Sequence, residues 1–329
     1  MKILVAGGAG YIGSVCVEQL VERGHDVVVV DNLSRGHRHA VHPDARLEVG
    51  DLSDVAFLKR VFSEANFDAV MHFCAASLVG ESVTDPLPYY ENNLTNGFKL
   101  VRTMLDHGVK HFVFSSTAAL FGEPRSVPIN EDAIKDPTNP YGRTKLFFEG
   151  FLSDCDAAYG LKSICLRYFN AAGASAKFGE DHNPETHLIP LVLQVAAGKR
   201  KAIRIFGDDY PTPDGTCVRD YIHVIDLAEA HILALDYLRR TNLSDQFNLG
   251  NGKGFSVLEV VRAAERVTRQ PISWELAPRR SGDPAVLVAS AEKARTILAW
   301  APDCADLENI IATAWGWIKK YPQGYGPNC

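Results

Sequence analysis

No run of about 18 uninterrupted apolar residues occurs in the chain, so no membrane span is expected. Cysteine is sparse and unpatterned. The seven thiols, at positions 16, 74, 155, 165, 217, 304 and 329, contain no C-x-x-C pair, and their odd number suits reduced thiols in a cytoplasm better than a disulfide framework. No metal site is expected from the sequence. An excess of basic charge is absent too: the net charge is −6, which argues against a non-specific nucleic-acid binder. Internal repeats and low-complexity tracts are missing. The opening KILVAG starts with a lysine and an apolar run, but glycines interrupt it and no small-residue cleavage site follows, so it reads as a strand rather than a secretory segment.

What is present is an ordinary globular composition, 46% apolar and 22% charged, in a chain of 329 residues. That length exceeds what one core usually organises, so two domains, or one with an appendage, are expected. Apolar runs alternate with amphipathic helical stretches: ILVA (3–6), DVVVVD (26–31), DAVMHFC (68–74), HFVFSS (111–116) and KSICLRYFN (162–170). This βα alternation predicts an α/β fold, a doubly wound parallel-sheet Rossmann domain with helices on both faces and ligands along the carboxyl edge of the sheet. After about residue 172, polar Gly/Pro-rich loops mark a smaller mixed α/β substrate domain. The expected division is 1–172 with a returning piece at 218–240, against 173–217 and 241–329. Long helices are expected over 88–107, 140–159 and 224–238, the first two able to pair with a second copy in a homodimer.

Gly7, Gly10 and Gly13 in GGAGYIGS follow the first strand and open a helix, a spacing that permits a tight turn and close approach of backbone to a pyrophosphate. Asp31 ends the second strand, 18 residues after Gly13, where a carboxylate accepts from both adenosine ribose hydroxyls. It would repel a 2′-phosphate, so NAD is favoured over NADP. Arg35, His37 and Arg38 nearby are either a phosphate-binding loop or a solvated one. Asp51, in Gly50-Asp51-Leu52 after another strand-like segment, suits an adenine amine.

Tyr141 and Lys145 form Y-x-x-x-K within a predicted helix and so share a face. A neighbouring ammonium and an oxidised nicotinamide would both favour the phenolate of a tyrosine whose ordinary pKa is near 10. Thr117 lies 24 residues earlier, at the carboxyl end of a predicted strand, and completes a candidate catalytic group. Its alternative role is a strand-end hydroxyl bonded to local backbone.

These segments, together with VVVVDNLSRG, HFCAASLVGES, PLPYYENNLTNG, YGRTK, LRYFNAAGA, IFGDDYPTPDGTCVRDYIHVIDLA and PRRSGDPA, resemble the extended short-chain dehydrogenase/reductase superfamily, and within it the UDP-hexose 4-epimerase family, over nearly the whole chain. The resemblance implies interconversion of UDP-galactose and UDP-glucose through a 4-keto-sugar, with NAD retained through turnover. It implies Tyr141 as the base, Lys145 on the nicotinamide ribose and Thr117 in a role usually given to serine. Tyr11, Ile12, Asn32, Leu52, Phe73, Asn92 and Tyr168 are further cofactor candidates. Asn170, Arg219 and Arg280 are implied as diphosphate contacts and Asp283 as a uridine-ribose ligand, joined by His187, Leu188, Phe206 and Leu287 around the substrate.

The chain departs from the pattern at several places. Phe121 stands where a tyrosine is usual, Ser77 where some members have a lysine, and His187 where an asparagine meets the nucleotide. Leu287 stands at a position that gates N-acetylated sugars, and its medium size leaves UDP-N-acetylhexosamines as second substrates. A 4,6-dehydratase would need an acid and a base after the threonine, where Ala118 and Ala119 stand. A 4-keto reductase or a decarboxylase survives as the enzyme alternative, and a non-catalytic NAD(H)-sensing protein as the alternative of another class.

Overall fold

A computed structural model describes residues 1–280 and 283–326; Cys329, and Ser281 with Gly282 of the PRRSGDPA segment, lie outside the described residues. Six strands, β1 (Lys2–Ala6), β2 (Asp26–Asp31), β3 (Arg46–Val49), β4 (Ala69–His72), β5 (His111–Thr117) and β6 (Lys162–Tyr168), pair in parallel with a seventh, Asp245–Leu249. The order across the sheet is the seventh strand, then β6, β5, β4, β1, β2 and β3. Both faces are covered, which is why the central strands are nearly continuous in apolar residues. Ile3 and Val5 face one core with Val15 and Leu20 of the helix Tyr11–Glu22 and Leu227, Ala228 and Leu235 of the helix Val224–Thr241. Leu4, Ala6, Val28 and Val30 face the other, with Leu100 and Met104 on one helix and Phe148 and Leu152 on the next.

Three elements differ from the expectation. The seventh strand, DQFNL, falls in the stretch assigned to the smaller domain, yet it extends the large sheet beyond β6. It has only two apolar residues, Phe247 and Leu249, and both are fully buried in the first core, so periodicity alone could not find it. The run 162–170 is not one strand. β6 ends at Tyr168, and Asn170–Ala172 pairs with Tyr221–His223 in a separate two-stranded ladder. The helix expected over 88–107 is interrupted: a short turn at Leu87–Tyr90 passes through a π-helical turn, Glu91–Thr95, before the regular helix Asn96–Asp106. Such π-turns often mark functional positions in helices.

Beyond Ala172 a third core forms, outside the sheet's two faces. Ile189, Val192 and Leu193 of the helix Leu188–Ala196 pack with Ile203 and Ile205, with Val260 and Val261 of the helix Val257–Thr268, and with Ile310 and Ile311 of the helix Leu307–Lys320. The last helix also returns Trp317 to the first core. Among the described residues, no helix is long and apolar enough to cross a membrane.

Behind the carboxyl end of β5 lies a buried ion pair. Arg167 on β6 is 1% exposed, and its guanidinium donates to Glu149 at 2.9 Å from Nε and 2.5 Å from a terminal nitrogen. Ser116 donates to the same carboxylate at 2.6 Å, and Gln246 of the seventh strand accepts from Arg167 at 2.7 Å. Burial opposes the charge on Arg167, and Glu149 outweighs it. Removing one partner strands the other. Glu149→Gln should therefore destabilise the protein by about 3–5 kcal/mol, while the double replacement Glu149→Leu with Arg167→Met should recover most of that loss, as read by urea denaturation.

Candidate active site

The chain leaves β1 through Gly7, at φ +83°, a left-handed conformation that glycine adopts without steric cost. A Cβ on Gly7 would lie 2.7 Å from the backbone nitrogen of Cys74, which follows β4, and one on Gly13 would lie 2.2 Å from the carbonyl oxygen of Gly7. The turn is thus bare backbone, packed between the two strands where the sheet order reverses. Gly10 begins the helix Tyr11–Glu22 with no side-chain cap. This cradle fits a pyrophosphate against the helix N-terminus.

Asp31 closes the far side. It is 7% exposed, and its two oxygens accept from the N–H groups of Ala9 at 3.0 Å and Leu33 at 2.9 Å. Burial raises its pKa, and those two backbone bonds partly offset the rise. Each oxygen keeps a lone pair for a ribose hydroxyl. Asn32 donates to Asp51 at 2.6 Å, which joins two of the expected cofactor residues. Burial would raise the Asp51 carboxyl, but hydrogen bonds from Ser53 and Asn32 hold it below the usual range. Arg35 and His37 are not simply solvated: Arg35 donates to the carbonyl of Asn183, and His37 lies 3.0 Å from that of Asp181.

The remaining cofactor candidates divide by environment. Leu52 is buried in the second-face core, and Ile12 and Phe73 pack against the first. Tyr11 is buried and donates its hydroxyl to Gly173 at 2.7 Å. Asn92, in the π-turn, donates to Asn93 at 3.1 Å. Asn93 itself was not singled out in the sequence. It is 4% exposed, clasps both backbone groups of Ala76 and donates to Thr144 at 3.1 Å, so it ties the loop after β4 to the helix Pro140–Tyr159. The doubled asparagine in the sequence was its only signal.

Thr117, Tyr141 and Lys145 come together at the end of β5. Thr117 accepts at 3.1 Å from Ala119 N–H, the local role, and its hydroxyl lies close enough to the Tyr141 side chain to lower the pKa of that phenol. Lys145 is 2% exposed; its ammonium donates to the Ser115 carbonyl at 2.7 Å and sits 6.0 Å from the Tyr141 ring centre. Burial pulls Lys145 down to about 8, against charges that support the ammonium, including that of Glu149. In the protein alone burial raises the Tyr141 pKa, with Thr117 offsetting part of the rise; the expected lowering invokes the oxidised nicotinamide together with the ammonium. The ammonium points to the Ser115 carbonyl rather than to the phenol oxygen. Tyr168 meets the Ser115 hydroxyl beside the group, and burial pushes its phenol up as well.

The substrate candidates converge in pairs. Arg219 forms an ion pair with Asp283, and the guanidinium of Arg280 lies 3.9 Å from the centre of the Phe206 ring. Asn170 donates to the carbonyl of Asp220 at 2.9 Å. Leu287 pairs with Arg219 in a short parallel ladder and packs on the small cluster of Leu120, Phe121 and Ile129, just past Thr117. Leu188 packs on the third core. His187 precedes the helix Leu188–Ala196, and its Nδ1 lies 2.5 Å from Glu180. Asp220, within CVRDY, carries no role that spacing reveals. It is fully buried and accepts from the N–H groups of Asn251, Gly252 and Ala289 at 2.7–3.0 Å, which locks three segments beneath Arg219.

Comparison with known proteins follows the same outline. Residues 3–250 match the model of the NAD dependent epimerase/dehydratase family. A protein of Lacticaseibacillus casei named UDP-glucose 4-epimerase is 55% identical over 328 residues, 99% of each chain. A crystal structure of a UDP-glucose 4-epimerase superposes with a TM-score of 0.97 at 53% identity, covering 99% of each chain. The enzyme of that name from Bifidobacterium longum, solved in complex with NAD+ and UDP, superposes with a TM-score of 0.94 at 40% identity, over 98% of this chain and 100% of that one.

Two outcomes test this geometry. Gly13→Ala should cost at least about 1–3 kcal/mol of stability through overpacking, and the purified variant should release less nicotinamide dinucleotide on denaturation than the wild type. For Lys145, the folded value near 8 lies below the ordinary 10.5, so the unfolded chain binds more protons between these values. The burial penalty is full below pH 8 and fades as pH rises towards 10.5. In cofactor-stripped protein, Lys145→Met should thus raise stability at pH 7 by about 2 kcal/mol, net of the lost bond to Ser115, with the gain vanishing near pH 10.

Proposed function

The chain belongs to the NAD dependent epimerase/dehydratase family, and from that premise we propose that it interconverts UDP-galactose and UDP-glucose by inverting the hexose at C4. The observation that carries this reading is the convergence of Thr117, Tyr141 and Lys145 on the sheet edge beside the glycine turn, with Leu287 packed on the cluster next to Thr117 and paired with Arg219. When bound, NAD supplies a hydride acceptor and donor that no side chain provides. Gly7, Gly10 and Gly13 hold its pyrophosphate, with Tyr11 and Ile12 at the helix start, and Asp31 holds its adenosine ribose. Asp51, Asn32 and Leu52 would border its adenine, and Phe73, Asn92 and Tyr168 would line the rest of the cofactor.

Tyr141 removes the proton of the hexose 4-hydroxyl as C4 is oxidised and returns it when the 4-keto-sugar is reduced from the opposite face. Thr117, beside Tyr141, orients that hydroxyl. Lys145, titrating near 8, is mainly an ammonium at pH 7 and stands 6.0 Å from the Tyr141 ring centre, where an oxidised nicotinamide would add a second positive charge in favour of the phenolate. Arg219 and Arg280 suit the diphosphate because a planar, permanently charged fork matches phosphate oxygens. Asn170 and His187 add donors, Asp283 accepts from the uridine ribose, and Phe206 and Leu188 border the base. The anchored nucleotide lets the keto-sugar turn over without leaving.

Leu287 is partly buried on the cluster around Leu120, which leaves its side of the sugar neither blocked by an aromatic ring nor wide open. UDP-N-acetylhexosamines are accordingly proposed as second substrates. A homodimer is proposed on the paired helices Asn96–Asp106 and Pro140–Tyr159, where Phe147 is 61% exposed beside Phe98. A cytoplasmic location rests on the six cysteines that are free among the described residues.

Purified protein given UDP-galactose without added cofactor should form UDP-glucose with no net rise in absorbance at 340 nm. A pentose product or a stoichiometric rise would replace this reading by a decarboxylase or a dehydrogenase, and failure to convert any UDP-hexose even with added NAD would favour a sensing role. Tyr141→Phe should lower kcat by about 10²- to 10⁴-fold while UDP binding, measured by calorimetry, is retained.

A further inference from the structure

The segment from Glu180 to His187 joins the loop after β2 to the helix Leu188–Ala196, and four of its side chains converge. Glu180, His182, Glu185 and His187 each present one donor atom, all within 4.8 Å of one another. The Nδ1 atoms of the histidines lie 3.1 Å and 2.5 Å from Glu180, and 3.8 Å and 3.4 Å from Glu185. Around a tetrahedral ion with bonds of about 2.0–2.1 Å, donors stand roughly 3.3–3.4 Å apart. The four histidine–carboxylate separations bracket that edge, and all four donors lie within 4.8 Å of one another.

Charge gives the independent reason. The two carboxylates are only 6% and 8% exposed, and among the described residues their ion-pair partners are these two histidines, with no lysine or arginine. Two buried carboxylates call for two positive charges. The imidazoles supply them only when protonated, whereas one bound divalent cation would supply both at any pH. Glu185 is already oriented, accepting at 2.7 Å and 2.8 Å from the N–H groups of Thr186 and His187, the kind of outer support that metal-ligating carboxylates have. The imidazoles face the open side, at 31% and 49% exposure, and leave an entry path.

We propose that Glu180, His182, Glu185 and His187 bind a divalent transition metal, with Zn2+ the best-suited ion. Two imidazoles and two carboxylates in a four-donor cluster suit Zn2+ better than Ca2+ or Mg2+, which take six or more oxygens. The site is structural. Arg35 and His37 of the cofactor loop bond to the carbonyls of Asn183 and Asp181 within the same segment, so the ion would fix the piece that links the two ligand regions. A His187 ligated through Nδ1 keeps its Nε2–H as the one remaining donor for the nucleotide. The spacing E-x-H-x-x-E-x-H follows no common ligand pattern, and no metal was expected from the sequence.

The test uses the full chain with its bound cofactor, treated with a chelator and then titrated calorimetrically with Zn2+, and separately with Co2+ while its visible spectrum is recorded. The expected result is one Zn2+ per chain, an intense tetrahedral Co2+ spectrum without a sulfur-to-metal charge-transfer band, and a higher Tm on adding Zn2+. His182→Ala and Glu185→Gln should each weaken Zn2+ binding by at least about 10- to 100-fold and lose the Tm rise. Circular dichroism of the metal-free variants checks that they fold, and His182→Ala, at a half-exposed position, is the milder of the two. Absence of stoichiometric binding, unchanged affinity in folded His182→Ala, or a sulfur charge-transfer band placing the ion on cysteines would each overturn the proposal. None of these readouts depends on which sugar is turned over.

Discussion

The backbone contact between Gly7 and the Phe73–Cys74 segment is the constraint on which the rest of the molecule depends. It occurs where the sheet order reverses between β1 and β4, and the Cβ distance of 2.7 Å shows that no larger residue fits. With that contact made, the N-terminus of the helix Tyr11–Glu22 opens on the crevice at the carboxyl ends of the strands. Asp31, Thr117 and the loop after β4 then border one space, because parallel strands with right-handed crossovers deliver all their ends to the same edge. The cofactor region and the reacting group are neighbours for topological reasons before any side chain is considered.

Charge is buried on both sides of β5, with opposite consequences. Glu149 and Arg167 neutralise each other behind the strand and hold Ser116 in place, so that pair acts as a rigid backing. Lys145 has no such partner at full contact; its ammonium rests on the carbonyl of Ser115 and its pKa falls to about 8. Residues at 141, 145 and 149 share one helical face, so a single helix carries the phenol, the ammonium and the carboxylate that moderates it. The phenol is held high by burial, which keeps it protonated until charge arrives on the sugar side. To act as a base this phenol needs a positive charge beside it that favours the phenolate, as an oxidised nicotinamide would supply, so proton removal is tied to a filled site.

The glycine turn, Asp31 and the Y-x-x-x-K pair could be read from the sequence because each is a local pattern with its own mechanical reason, set by strand ends and helical spacing. The strand Asp245–Leu249 could not, since its two apolar residues carry no period, and it exists because β6 offers an unpaired edge over a core that Phe247 and Leu249 can fill. Asn93 and Asp220 were equally hidden. Their importance lies in which distant N–H groups they satisfy, and one sequence does not say which loops meet. The direction of the Lys145 ammonium was hidden for a related reason: spacing brings Lys145 onto the same face as Tyr141, but the Ser115 carbonyl sets where it points.

The sequence by itself determined the class of fold, the glycine turn suited to a dinucleotide and the candidate group of Thr117, Tyr141 and Lys145, because helical and strand periods and glycine sterics act over a few residues. Only the tertiary structure decided the pairing of Arg219 with Asp283, the stacking of Arg280 on Phe206, the backing of β5 by a buried ion pair and the gathering of Glu180, His182, Glu185 and His187. Those arrangements join residues from separate segments, or turn side chains of one loop towards a common point. Their energies come from desolvation and directed hydrogen bonds, which exist only once the chain has closed around them.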